Sequence, residues 1–182
     1  MFEDQLLKWK FKRGSDEALT LIYQKYLDSM LTLALGLLND AAAAEDVVQD
    51  VFVAFAQSRR SFQMWGSLSG YLATSVVNRV RDYQRRQRRQ AGRDARVRVR
   101  AEPPGPEQAV ILTEQAKLLA QAVGALPEEQ REVVLLRLKV GLKFRDIAKL
   151  QRTSINTILS RYRYGLERLR SMLDGEVEKW DR

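Results

Sequence analysis

The side chains best suited to chemistry in this 182-residue chain are cations, amides and hydroxyls, and they are clustered. When successive residues are stepped about 100° around a helix, Asn156, Thr157, Ser160, Arg161, Arg163, Tyr164 and Arg168 share one arc. Amides and hydroxyls exchange hydrogen bonds with base edges in a major groove, and arginine holds phosphate or guanine. A second group, Asn78, Arg79, Arg81, Asp82, Arg85 and Arg86, opens a run from Arg79 to Arg100 containing ten arginines and two aspartates. A basic stripe of this density is an electrostatic footprint for a polyanion, most often nucleic acid. A third group is acidic: Glu45, Asp46, Gln49 and Asp50 lie on or near one helical side. That side suits either plain solvation, with acids near a helix N-terminus favouring the dipole, or docking of a basic or polar partner helix. Spacing alone leaves both readings open.

Missing residue types exclude other chemistry. With no cysteine and no histidine, the chain has no disulfides, thiolate nucleophile, histidine acid–base pair or ordinary zinc site. No catalytic residue, metal site or cofactor is expected. The N-terminal MFEDQLLKWK lacks the apolar core of a signal peptide. The longest uncharged run, Ser61 to Asn78, is too polar to span a membrane. A membrane surface competes as the polyanion for the arginine run, but beyond Tyr83 only Val97 and Val99 offer apolar bulk for insertion.

Helices must position these groups. Met1 to Arg13 reads as a short leading helix, and Ser15 caps a long one reaching Leu38, with Leu19, Ile22, Tyr23, Tyr26, Met30, Leu33 and Leu37 as its buried stripe. Asn39-Asp40 breaks the pattern. Ala41 to about Ser58 forms the next helix, with Val47, Val48, Val51, Phe52 and Phe55 facing the core. Phe62, Met64 and Trp65 sit in a polar loop, where aromatic residues more often close over a core than stack on unpaired bases. Another helix runs from about Tyr71 to Arg89 around Leu72, Val76, Val80 and Tyr83. Residues 90–107, with alternating Arg and Val followed by three prolines, read as an extended linker.

Helical pattern resumes at Gln108. Leu126-Pro127-Glu128-Glu129 opens a helix with Val133, Val134, Leu136 and Leu138 on its apolar side, ended by Gly141. A short helix from Phe144 to Leu150, a turn at Gln151 to Thr153 and an N-cap at Ser154 lead to a long helix striped with Ile155, Ile158, Tyr162, Leu166, Leu169 and Leu173. This arrangement describes a helix-turn-helix, and the competing reading is a helical hairpin whose charged face meets only water. The predicted fold is all-α: two small helical domains, residues 1–89 and 108–182, joined by a flexible basic linker at 90–107.

Four stretches, taken in order, resemble the bacterial extracytoplasmic-function sigma factors. They are Glu45 to Phe52, Tyr71-Leu72 with Asn78 to Tyr83, the linker, and Leu126 to Arg170. The resemblance implies a transcription initiation factor that binds the largest subunits of core RNA polymerase and directs the enzyme to promoter DNA, without catalysis and in the cytoplasm. Asp46, Gln49 and Asp50 are then implied to dock on polymerase. Phe62, Gln63, Met64, Trp65, Asn78, Arg81, Asp82 and Arg85 are implied to hold the melted downstream element. Asn156, Thr157, Ser160, Arg161, Arg163 and Tyr164 are implied to read the upstream element, with Arg137 and Lys143 adding backbone contacts. An anti-sigma protein is a further partner whose existence the resemblance leaves open.

This sequence departs from the family in several places. Tyr71 stands where tryptophan is usual, and Ser75-Val76 where Ile-Ala is frequent. Gln151-Arg152 replaces a Leu-Gly turn, and Leu159 replaces a basic residue and removes one contact to phosphate or guanine. The alternative reading is a two-domain helix-turn-helix regulator acting on duplex DNA without polymerase. An enzyme acting on nucleic acid ranks third, disfavoured by the missing histidine and cysteine.

Overall fold

A computed structural model describes residues 2–60, 67–93 and 114–180, all helix or short connection, with no strand among them. The first unit contains α1 (Phe2–Lys12), α2 (Asp16–Leu38), α3 (Ala41–Gln57), a 3-10 turn at Ser58–Arg60, and α4 (Leu68–Arg93). The second contains α5 (Glu114–Gly124), α6 (Glu128–Leu138), α7 (Phe144–Gln151) and α8 (Ile155–Trp180). No described helix is long and apolar enough to cross a membrane.

Side-chain caps set several helix starts. Ser15 Oγ accepts from the Ala18 N–H at 3.1 Å, Asp40 Oδ1 from Ala43 at 3.0 Å and Ser154 Oγ from Thr157 at 3.1 Å. Each satisfies an N–H that the helix leaves unpaired, a contribution of about 1 kcal/mol. At the other end of α2, Asn39 takes φ 54° and donates its N–H to the Leu35 carbonyl. Asparagine tolerates that left-handed conformation better than most residues.

The first core lies between α2, α3 and α4. Ile22, Met30, Leu33, Val48, Phe55, Leu72 and Val76 are almost wholly excluded from water. Phe11 of α1 stacks on Phe55 with ring centroids 4.3 Å apart, and Phe55 meets Tyr71 at 5.9 Å. Burying one such side chain contributes about 1.5–3 kcal/mol, so this layer fixes where α3 and α4 present their outer faces. Tyr23 departs from its expected place in the stripe: it is 43% exposed and packs edge-on against Phe52 at 4.8 Å. Ala18 and Ala34 are buried on α2 instead.

The helix α4 runs past both ends that the periodicity predicts. Its first turn is pinned by Ser67, whose Oγ accepts from the Gly70 N–H at 3.1 Å. At its C-terminal end it continues through residues 90–93, the start of the expected linker. Gln, Ala and Arg are good helix formers, so loss of an apolar stripe does not by itself end a helix. The rest of that linker, and residues 108–113, lie outside the described residues.

The largest difference concerns α6. Four consecutive side chains, Val133 to Leu136, are buried together with Glu132, whereas Leu138 is 58% exposed. The helix is covered on two sides, by α8 and by α2 of the first unit. Leu135 reaches α2 at Gly36, where a Cβ would lie 2.7 Å from Leu135 Cδ1. Glycine therefore permits this close approach. Val133, Leu135, Leu136, Ile147 and Ile158 join the apolar core of the first unit, and Ala122, Leu126, Val134 and Leu169 form a smaller cluster of their own.

Candidate nucleic-acid interface

The helix-turn-helix is formed by α7, a turn and α8. Gly141, at φ 76°, closes α6, and the Leu142 N–H returns to the Leu136 carbonyl at 3.0 Å. Phe144 at the start of α7 packs on Tyr162 of α8 at 5.1 Å. The turn forms without glycine: Arg152 adopts φ 52° and ψ 47°, and the Thr153 N–H donates to the Ala148 carbonyl at 3.0 Å. Holding a non-glycine residue in that region costs about 1–2 kcal/mol. The buried positions of α8 include Ile158, Gly165 and Leu169.

Asn156, Ser160, Arg163, Tyr164 and Arg168 project outward and are exposed, while Thr157 is half-buried at the cap beside Ser154 Oγ, 2.9 Å from its own hydroxyl. The Arg163 guanidinium lies 4.9 Å from the Tyr164 ring centre and 3.2 Å from its hydroxyl. Arg161 is turned away from the outer arc. It donates to Gln151 Oε1 at 2.6 Å and pairs with Glu129 at 2.5 Å. Arg137 also has an internal role: it stands 4.9 Å over Phe144 and donates to the Leu142 carbonyl at 3.0 Å, bracing the loop before α7. Lys143 is exposed at the N-terminus of α7.

In the first unit, Asp46, Gln49 and Asp50 lie exposed on α3, opposite its buried valines and phenylalanines. Asp50 has Arg79 at 3.5 Å. On α4, Asn78 is exposed, Asp82 contacts Arg85 closely, and Arg81 reaches across to α6. Phe62, Gln63, Met64 and Trp65 lie outside the described residues.

The two units meet over a cleft of about 680 Å³, lined among others by Asn78, Arg81, Arg85, Arg88, Lys149 and Arg152. Arg81 Nη2 donates to Glu132 at 2.8 and 3.0 Å, and Gln151 Nε2 donates to the same carboxylate at 3.1 Å. Glu132 thus compensates a buried charge with three hydrogen bonds. Arg88, Lys149, Gln151 and Glu132 were not apparent as site residues from sequence. The available signal was Glu132 itself, an acid directly before four consecutive apolar residues on a helix.

Comparison with known proteins agrees with this architecture. The family model of sigma-70 region 2 matches residues 22–90, and that of sigma-70 region 4 matches residues 116–169. The RNA polymerase sigma-H factor of Pseudomonas aeruginosa is 26% identical over 169 residues, covering 87% of this chain and 88% of that protein. The ECF RNA polymerase sigma factor SigW of Bacillus subtilis is also 26% identical, over 172 residues, covering 89% and 92%. Among solved structures, the sigma factor RpoE in complex with the anti-sigma factor NepR from Bartonella quintana superposes with a TM-score of 0.68 at 27% identity, covering 83% of this chain and 95% of that one. With sigma-70 region 2 and region 4 matched in that order over most of its length, the chain belongs to the extracytoplasmic-function sigma factors of RNA polymerase.

Proposed function

We propose that this sigma factor gives core RNA polymerase its promoter choice through two surfaces of different chemistry, carried by residues 1–89 and 108–182. The observation that carries this reading is the outer face of α8. Asn156, Ser160, Arg163 and Tyr164 stand exposed behind a capped N-terminus, on the second helix of a helix-turn-helix. Side chains of this kind suit duplex base edges and phosphates in the upstream element. On α4, Asn78, Arg81, Asp82 and Arg85 suit unpaired bases and their backbone in the downstream element, with residues Phe62 to Trp65 as the stacking group. Asp46, Gln49 and Asp50 dock on polymerase. The factor works in the cytoplasm alongside polymerase and performs no reaction itself.

The test is transcription in vitro with core polymerase from a promoter library randomised in both elements. Ser160→Ala or Arg163→Ala should relax preference in the upstream element only, Arg163→Ala by about 1–3 kcal/mol of discrimination for a lost bidentate pair and Ser160→Ala by less. Asn78→Ala should change the downstream preference and slow promoter opening. If the α8 variants altered the downstream preference as strongly as the upstream one, the division of labour would be wrong.

A further inference from the structure

The first turns of α8 carry two large apolar side chains that the fold leaves in water. Ile155 is 46% exposed and Leu159 is 43% exposed, one helical turn apart. Neither belongs to the stripe that α8 buries, where Ile158 and Leu169 are nearly inaccessible. The sequence pattern predicts Ile155 in that stripe, and the structure instead places it outside, just beyond the Ser154 cap. Leu159 borders Asn156, Ser160 and Arg163 on the exposed side. Its side chain provides neither charge nor hydrogen-bond donor.

In helix-turn-helix docking, the N-terminal residues of the second helix contact base edges. Among the groups displayed in the major groove, the 5-methyl of thymine is the apolar one, and apolar side chains contact it. Of the groups lining that groove, the methyl is the one an exposed leucine can cover with a gain from burial, since phosphate and the other base-edge groups are polar. Resting on the assignment of α8 to the upstream element, we propose that Leu159, with Ile155 beside it, reads the 5-methyl group of thymine and so confers on this factor a preference for thymine in that element. Leu159 and Ile155 add an apolar contact to the polar reading by Asn156, Ser160 and Arg163. Removing the methyl from the DNA, or the isobutyl group from the protein, removes the same contact.

The experiment uses the full chain with core polymerase. A promoter is first selected from a library randomised in the upstream element, and each of its thymines is then replaced singly by deoxyuridine, which keeps base pairing and loses only the methyl. With the unaltered factor, one or two positions should lose about three- to fivefold in promoter binding, the effect of one buried methyl group. Leu159→Ala should bind the thymine promoter correspondingly less well and show no further loss with deoxyuridine there. Leu159→Met should retain the sensitivity. Circular dichroism checks that both variants fold, as expected for an exposed site. Selection of an element without thymine, or indifference to deoxyuridine at every position while the upstream element is still required, overturns the inference. Binding that does not depend on the upstream element at all overturns the assignment of α8 and this inference with it.

Discussion

Arg81 of α4 donates to both carboxylate oxygens of Glu132 on α6, at 2.8 and 3.0 Å, and so ties the two helical units together. The Glu132 side chain is 7% exposed, whereas Arg81 is 35% exposed. Removing one partner of a fully buried pair costs about 3–5 kcal/mol, and water around Arg81 reduces that to roughly 1–2 kcal/mol here. A double-mutant cycle with Arg81→Gln and Glu132→Gln, followed by urea unfolding, should show coupling of about 1 kcal/mol. Independent effects of the two changes would mean that the units do not hold this contact in solution.

The same contact should limit DNA binding by the free protein. Arg81 is among the residues proposed to hold the melted element, and its charge is already neutralised by Glu132. Isolated factor should therefore bind DNA weakly and with steep salt dependence. Glu132→Gln should strengthen binding of single-stranded DNA about two- to tenfold, because 1.36 kcal/mol corresponds to tenfold. Fluorescence anisotropy across a salt series measures both effects, and no gain in the variant would remove Arg81 from the DNA surface.

Polymerase docking can be separated from folding. Asp46 and Asp50 are exposed on α3, away from the core that Val47, Val48, Val51 and Phe55 build. Asp46→Lys with Asp50→Lys should abolish co-purification with core polymerase while leaving helicity unchanged. Undiminished binding by a folded double variant would refute the assignment.

The left-handed residue in the helix-turn-helix gives a stability prediction. Glycine at position 152 removes the roughly 1–2 kcal/mol of backbone strain and adds about 0.4–1 kcal/mol of unfolded-state entropy. Arg152→Gly should raise stability by about 0.5–1 kcal/mol in denaturant unfolding. A destabilised variant would show that the arginine side chain contributes more than its backbone costs.

The attachment of α1 should depend on acid. Asp4 accepts from Lys25 at 3.0 Å and from the Tyr26 hydroxyl at 2.9 Å. Burial pushes the Asp4 carboxyl up, but these donors outweigh it and hold it below its ordinary 3.8. A lowered folded-state value means that the stabilisation is present above about pH 4 and is lost as pH falls through that lower value. The hydrogen bonds that Lys25 donates to Glu3 and Asp4 raise its own pKa, and burial and the bond donated to Asp4 raise Tyr26. Their contributions are present below pH 10 and fade above it. Protection of the α1 amides against hydrogen exchange, taken relative to the intrinsic rate at each pH, should be constant between pH 5 and 9 and should fall in acid, and Asp4→Asn should abolish the acid step.

Local features were the most legible in the sequence. Ser15 and Ser154 occupy cap positions in the structure, and the Val47, Val48, Val51, Phe52 and Phe55 stripe is buried. These depend on interactions within a few residues or on simple periodicity. What spacing cannot encode is which face a second unit covers. Leu135 and Glu132 are buried because α2 and α4 approach α6, and Gly36 permits that approach, so the information is distributed over distant positions. Arg161 shows the same effect at the interface. Helical angles put it at the edge of the outer arc, and Gln151 and Glu129 draw it inward.

The gap between the end of α4 at Arg93 and the start of α5 at Glu114 sets a length scale for promoter geometry. About 20 residues intervene, and a fully stretched chain advances at most about 3.5 Å per residue, so these two helix ends can part by no more than about 70 Å. Duplex DNA rises about 3.4 Å per base pair, which makes that reach about 20 base pairs, or two helical turns. Each residue in this stretch therefore raises the limit by about one base pair of spacer. On the proposed division of the promoter, the longest spacing the factor can straddle grows with the number of residues in this stretch, whatever their identity.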